Sequence, residues 1–166
     1  MTSDLLQRAA QLRRAQAHRS LLAFARHYLS RHAFAKPAAA HEEIYGLLSE
    51  LTQRRGRKLA IAAPRGFGKT TLVTLTHVLH GLCYGEERYI VILSQTASQA
   101  IQLLDAVRQE LEENEKLLMD FPELAGPRPC PWTCAEIVTA NQVRVLALGS
   151  GQRVRDTKLD RARKSR

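Results

Sequence analysis

Apolar residues recur at helical spacing early in the chain, condense into short runs in its middle, and alternate with polar ones near its end. Leu5, Leu12, Leu21, Leu22, Ala25 and Leu29 form a stripe that predicts one long first helix, from Asp4 to about Arg31, with Thr2 or Ser3 as its cap. Lys36-Pro37 ends it, because the residue before a proline resists the α region. Ile44, Leu47, Leu48 and Leu51 share one face of a second helix over residues 38–53. The polar run Gln53-Arg54-Arg55-Gly56-Arg57 then reads as a turn.

Lys58–Ala63 (KLAIAA) is a short apolar run that predicts a buried strand, followed by a loop over Pro64–Gly68 and a helix over Lys69–Cys83. Tyr89–Ser94 (YIVILS) predicts a second strand. Thr96–Leu118 predicts a long helix with Ala100, Leu103, Leu104, Val107 and Leu111 inward. Residues 121–135, rich in proline and cysteine, read as loop, and Glu136–Leu148 alternates around Ala140-Asn141 as a β-hairpin does. Strand–loop–helix–strand–helix is the order of an α/β fold whose parallel strands are joined by helical crossovers.

The loop between the first expected strand and its helix carries the chemistry. Ala63-Pro64-Arg65-Gly66-Phe67-Gly68-Lys69-Thr70 matches the phosphate-binding P-loop pattern, with alanine in place of the first glycine. Gly66 and Gly68 let the backbone of the stretch Pro64–Thr71 curl so that successive N–H groups after the proline face phosphate oxygens. The helix start adds the positive end of its dipole. Lys69 would reach the β- and γ-phosphates, and the Thr70 hydroxyl would ligate Mg²⁺. The ligand expected on these grounds is ATP with Mg²⁺. Hydrolysis also requires an acidic residue at the end of a later apolar strand. No stretch after Lys69 ends in Asp-Asp or Asp-Glu in that way: Tyr89–Ser94 runs into Gln95, and the hairpin runs into Gly149-Ser150.

Composition narrows the setting. The 166 residues are 45% hydrophobic and only 5% aromatic, so aliphatic side chains must form the core. No run is long enough to be a membrane helix, and Met1–Arg14 lacks the apolar stretch of a secretory signal. Cys83, Cys130 and Cys134 do not make a disulfide framework, and the expected compartment is the cytoplasm. Cys130 and Cys134 with His77 and His80 are too loosely spaced to read as a zinc site. The net charge of +9 is unevenly distributed. Arg8, Arg13, Arg14, Arg19, Arg26, Arg31 and Lys36 face a single acid, Asp4, at one end. Arg153, Arg155, Lys158, Arg161, Arg163, Lys164 and Arg166 crowd the other, and residues 105–123 between them are acidic. Basic ends fit contact with a nucleic-acid backbone, or alternatively a solvated helix face and tail.

Taken in order, these motifs resemble the N-terminal ATPase region of tailed-phage terminase large subunits, the motors that package DNA. The resemblance spans about residues 24 to 156. It includes His41-Glu42-Glu43-Ile44, the loop Pro64–Thr71, the run Ile92–Ala100, the hairpin 137–148 and Gly149-Ser150-Gly151-Gln152-Arg153-Val154-Arg155. It implies a P-loop NTPase-type α/β fold with a parallel sheet, here incomplete and preceded by an N-terminal helical segment. The corresponding division is 1–56 helical segment, 57–152 partial P-loop ATPase domain and 153–166 basic tail.

It further implies double-stranded DNA, other terminase or portal subunits and further copies of the chain as partners, no membrane, and a host cytoplasm as the setting. Arg65 would meet the γ-phosphate. Arg155 would be an arginine finger toward a neighbouring subunit's ATP, or a contact to DNA phosphate. His41 or Tyr28 would border the adenine, and Ser94, Gln95 and Thr96 would touch DNA or phosphate or serve as a helix cap. The chain departs from the family at Asp156, where glycine is usual, and at Lys164, near an expected proline. The acidic strand and nuclease domain that follow in the family lie beyond what this sequence contains. The expectation is therefore a truncated chain or one completed by another polypeptide, marginally stable because the P-loop strand would lack parallel neighbours. A helicase-like ATPase fragment and a non-catalytic DNA- or motor-binding module are the competing readings.

Overall fold

The computed structural model describes residues 2–32, 37–53, 56–125 and 131–152. Helices α1 (Thr2–Arg19), α2 (Leu21–Tyr28) and α3 (Ala39–Gln53) come first. A π-helical segment (Thr70–His77) then runs directly into α4 (Val78–Tyr84). Strand β1 (Tyr89–Ser94), helices α5 (Ala97–Glu113) and α6 (Glu115–Asp120), and strands β2 (Glu136–Val138) and β3 (Arg144–Gly149) complete the described elements. The result is mixed α/β, with six α-helices and a three-stranded sheet in the order β1-β3-β2.

The sheet is mixed rather than purely parallel. β1 and β3 run parallel, from Tyr89 opposite Arg144 to Ser94 opposite Gly149, and α5 is among the elements of the crossover. β2 pairs antiparallel with β3, as the alternation over residues 136–148 predicts. The hairpin is closed by Thr139, whose N–H donates to the Val143 carbonyl (2.9 Å) and whose hydroxyl accepts from Val143 N–H (3.2 Å). Asn141 then ties the turn to the end of α4 by donating to the Leu82 carbonyl at 2.7 Å.

The run Lys58–Ala63 corrects the expected first strand: it lies in no strand of the described sheet. Its burial still alternates, with Leu59, Ile61 and Ala63 half-buried and Lys58, Ala60 and Ala62 exposed. Leu59 and Ile61 pack on a small core made by Leu21, Ile44, Tyr45, Leu48 and Leu72. Side-chain burial thus holds one face of the segment, while ladder hydrogen bonds require a partner strand that the described residues do not supply.

Two expected long helices are each divided. Ser20 adopts an extended conformation (φ −148°, ψ 114°) and its hydroxyl accepts from Ala23 N–H at 3.2 Å, ending α1 and capping α2. The break changes which leucines are inside. Leu21 and Leu29 are buried, but Leu5 and Leu12 of the predicted stripe are 63% and 67% exposed. Asn114 does the same between α5 and α6, its side chain accepting from Leu117 N–H (3.1 Å) and donating to the Tyr28 carbonyl (2.7 Å). Leu103 is half-buried, whereas Ala100, Leu104, Val107 and Leu111 face the main core as expected.

That core lies between the sheet and the helices, joining Phe24 of α2 and Leu29 just after it, Leu79 and Leu82 of α4, Val107 of α5, and Ile137 and Val145 of the sheet. Among the described residues no helix is long and apolar enough to cross a membrane.

Candidate functional site

The P-loop segment emerges from the half-buried run 59–63 and enters the π-helical segment. Gly66 (φ 82°) and Gly68 (φ 78°) both occupy the left-handed region, where a side chain is strained. The helix begins immediately: Leu72 N–H donates to the Gly68 carbonyl at 3.0 Å. The wider π turn is matched by Thr76, whose hydroxyl donates to the Thr71 carbonyl five residues back at 2.8 Å. Such turns are uncommon and concentrate at functional sites.

Pro64, Arg65, Gly66 and Thr70 are exposed; Phe67, Gly68, Lys69 and Thr71 are half-buried. Lys69 curls back on the loop, its ammonium donating to the carbonyls of Ala63 and Pro64, the latter at 2.8 Å. In this conformation the cation is satisfied by the loop's own backbone, and a phosphate would have to replace two carbonyl contacts. Phe67 anchors the loop to the smaller core and packs against His41, with ring centroids 4.5 Å apart and the planes tilted by 52°. His41, only 8% exposed, accepts from Ala38 N–H at Nδ1 (3.1 Å) and meets the Phe67 carbonyl with Nε2 (3.2 Å).

The other expected site residues are dispersed. Tyr28 is not at the loop: it is buried in the main core, donating to Asp120 at 2.9 Å. Burial, and then its bond to Asp120, push the phenol well above its ordinary pKa. Thr96 caps α5 by accepting from Gln99 N–H (3.2 Å), Ser94 donates to Gln99 Oε1 (3.1 Å), and the Gln95 carbonyl accepts from Ser150 Oγ (2.8 Å). The strand ends are therefore knitted to one another. Gly149 makes this possible, since a Cβ there would lie 2.6 Å from Ala97 N. Arg155, with the basic tail around it, lies outside the described residues, as does Cys130.

Among the basic residues counted toward nucleic acid, Arg26 lies 4.0 Å from Glu42, and Arg13 and Arg14 are more closely paired. Arg13 donates twice to Asp120 (2.8 and 2.5 Å), and Arg14 donates to Glu123 (2.5 Å) while stacking on Phe121. Burial alone would raise the Asp120 pKa, but Arg13 and Tyr28 outweigh it and hold the carboxyl below its ordinary value. A second polar cluster joins α1 to α4. His18 meets Glu86 at 3.1 Å, and buried His80 contacts the Ala17 carbonyl and Glu86, each at 3.3 Å. Burial works to raise the Glu86 pKa, and the two histidines reverse the effect. Neither network was legible in the sequence, because each joins residues tens of positions apart with no spacing signature.

Clefts of about 340, 400 and 490 Å³ lie elsewhere, lined by parts of α1 and α2, of α3 and α4, and of α2 and α5. None of the three takes in a residue of the loop. No protein-family model matches the chain, and no curated protein or solved structure is significantly similar to it.

A Mg²⁺ ion at this loop would have the hydroxyl of Thr70, an exposed residue in the first turn after Lys69, as a protein ligand. Magnesium is commonly held by few protein ligands together with water.

Proposed function

We propose that this chain binds ATP with Mg²⁺ through the loop Ala63–Thr70, as the nucleotide-binding part of a terminase-like DNA-packaging motor of P-loop type. The observation that supports it most is the conjunction of Gly66 and Gly68, both at positive φ, with Lys69 at the start of a helix. A loop of this kind turns N–H groups outward toward an anion at the positive end of the helix dipole. Thr70 would hold the metal, Arg65 would approach the γ-phosphate from its exposed turn, and Pro64, Phe67 and Thr71 would shape the loop's two ends. Double-stranded DNA, motor subunits and further copies of the chain belong to the same reading, as do a phage or prophage origin and the host cytoplasm.

The proposal extends to binding and stops short of turnover. No apolar run after Lys69 ends in paired acids, and both longer strands of the sheet end in small polar residues, Ser94-Gln95 and Gly149-Ser150. One observation favours a second reading, a module that acts by contact with DNA or a motor subunit: Lys69 is held by the loop's own carbonyls. Calorimetry of Mg-ATP with the purified chain and with Lys69→Ala separates the two. Micromolar binding lost in the variant supports the nucleotide reading; equal binding, or none in the wild type, overturns it.

A further inference from the structure

We propose that His41 is a positioning residue for the phosphate loop: its Nε2–H, held on the Phe67 carbonyl, sets the Phe67–Gly68 peptide so that the Gly68 N–H faces the anion. The inference rests on the nucleotide reading above and adds to it a residue from a different helix.

The Ala38 N–H can only donate, so His41 Nδ1, 3.1 Å away, must accept from it. The ring proton then resides on Nε2, which lies 3.2 Å from the Phe67 carbonyl and donates to it. His41 is 8% exposed and its ring packs on that of Phe67, so little rotation is open to it.

A trans peptide points its C=O and the following N–H in opposite directions. A Phe67 carbonyl held toward α3 therefore turns the Gly68 N–H away from α3. The next peptide is held in the same manner from the other side, because the Gly68 carbonyl accepts from Leu72 N–H at 3.0 Å. The N–H of Lys69 must then point away from the helix interior as well. Two consecutive donors at the helix start are thus oriented by bonds made to their preceding carbonyls, and His41 supplies one of those bonds from outside the loop. Preorganised donors bind an anion without the cost of ordering them first.

The test uses the full chain and the substitutions His41→Gln, His41→Asn and His41→Leu, each checked by thermal melting. A glutamine amide reaches the place of Nε2, whereas an asparagine amide reaches only the place of Nδ1. Titration with Mg-ATP and with inorganic triphosphate is expected to show near-wild-type affinity for Gln, and affinity about fivefold to tenfold weaker for Asn and Leu, the worth of one hydrogen bond. Undiminished binding by Asn and Leu, or an equal loss in all three, would overturn the proposal.

The ¹⁵N-amide resonance of Gly68 in the ligand-free chain gives a readout that does not depend on nucleotide. It should move in Asn and Leu and return in Gln. If the wild type binds no nucleotide but the resonance follows this order, the nucleotide reading fails while the positioning role of His41 stands. An unmoved resonance sinks the positioning role whatever the nucleotide result.

Discussion

Arg13 and Asp120 stand 107 positions apart in the chain, yet the guanidinium donates two hydrogen bonds to the carboxylate, at 2.8 and 2.5 Å, and so binds the first helix to the sixth. The partners are unequally buried: the Asp120 side chain is 1% exposed and that of Arg13 is 32% exposed. Removing the cation would leave a buried carboxylate with Tyr28 as its main partner, whereas neutralising the acid would leave a cation that can turn to water. Arg13→Met is therefore expected to cost about 2–3 kcal/mol, discounted from the fully buried case for the exposure of Arg13, and Asp120→Asn about 1 kcal/mol. Urea midpoints of the two variants check this, and the reverse order would show that the pair is not organised as described.

Stability should decline with acid in two stages. Burial, followed by the neighbouring His80, lowers the pKa of His77, and burial lowers that of His27. As pH falls through the ordinary histidine value of 6.5, the unfolded chain takes up protons that the folded chain accepts only at lower pH. Folding weakens across that interval. Asp120 and Glu86 act in the same sense at lower pH, with folded values depressed below the ordinary 3.8 and 4.5. Their contribution is complete above those values and is lost as pH drops through the depressed ones. Melting temperatures from pH 8 to pH 3 should fall twice, and His77→Gln should flatten the first fall. A wild-type chain that gains stability between pH 7 and pH 5 would contradict the assignment.

Two glycines make opposite predictions. A Cβ on Gly149 would come within 2.6 Å of Ala97 N and 3.1 Å of the Thr96 carbonyl carbon, both backbone atoms that cannot step aside alone. Gly149→Ala should cost about 1–3 kcal/mol and separate β3 from the start of α5. Gly46, exposed within α3, has nothing within 4 Å of such an atom. Gly46→Ala should stabilise by about 0.5–1 kcal/mol through helix propensity. Chemical denaturation of both variants provides the comparison, and similar effects at the two sites would refute the close approach at Gly149.

Elements whose cause is local follow from the order of residues alone. Tyr89–Ser94 becomes a strand over the expected residues, residues 39–53 form the second helix after Pro37, and the alternation over 136–148 folds back as a hairpin. The left-handed turns at Gly66 and Gly68 and the helix after Lys69 are short-range properties of the same kind. Tertiary structure decided the rest. Periodicity runs straight through Ser20 and Asn114, and the packing of α2 and α6 against the main core goes with the breaks there. Lys58–Ala63 shows the converse: its short apolar run predicts a buried strand, yet only one face of it is half-buried and a strand also needs a neighbour for its backbone. Periodicity records which side of a segment avoids water. It does not record which distant segment will lie alongside, because that depends on closing chain loops as long as the one between Arg13 and Asp120.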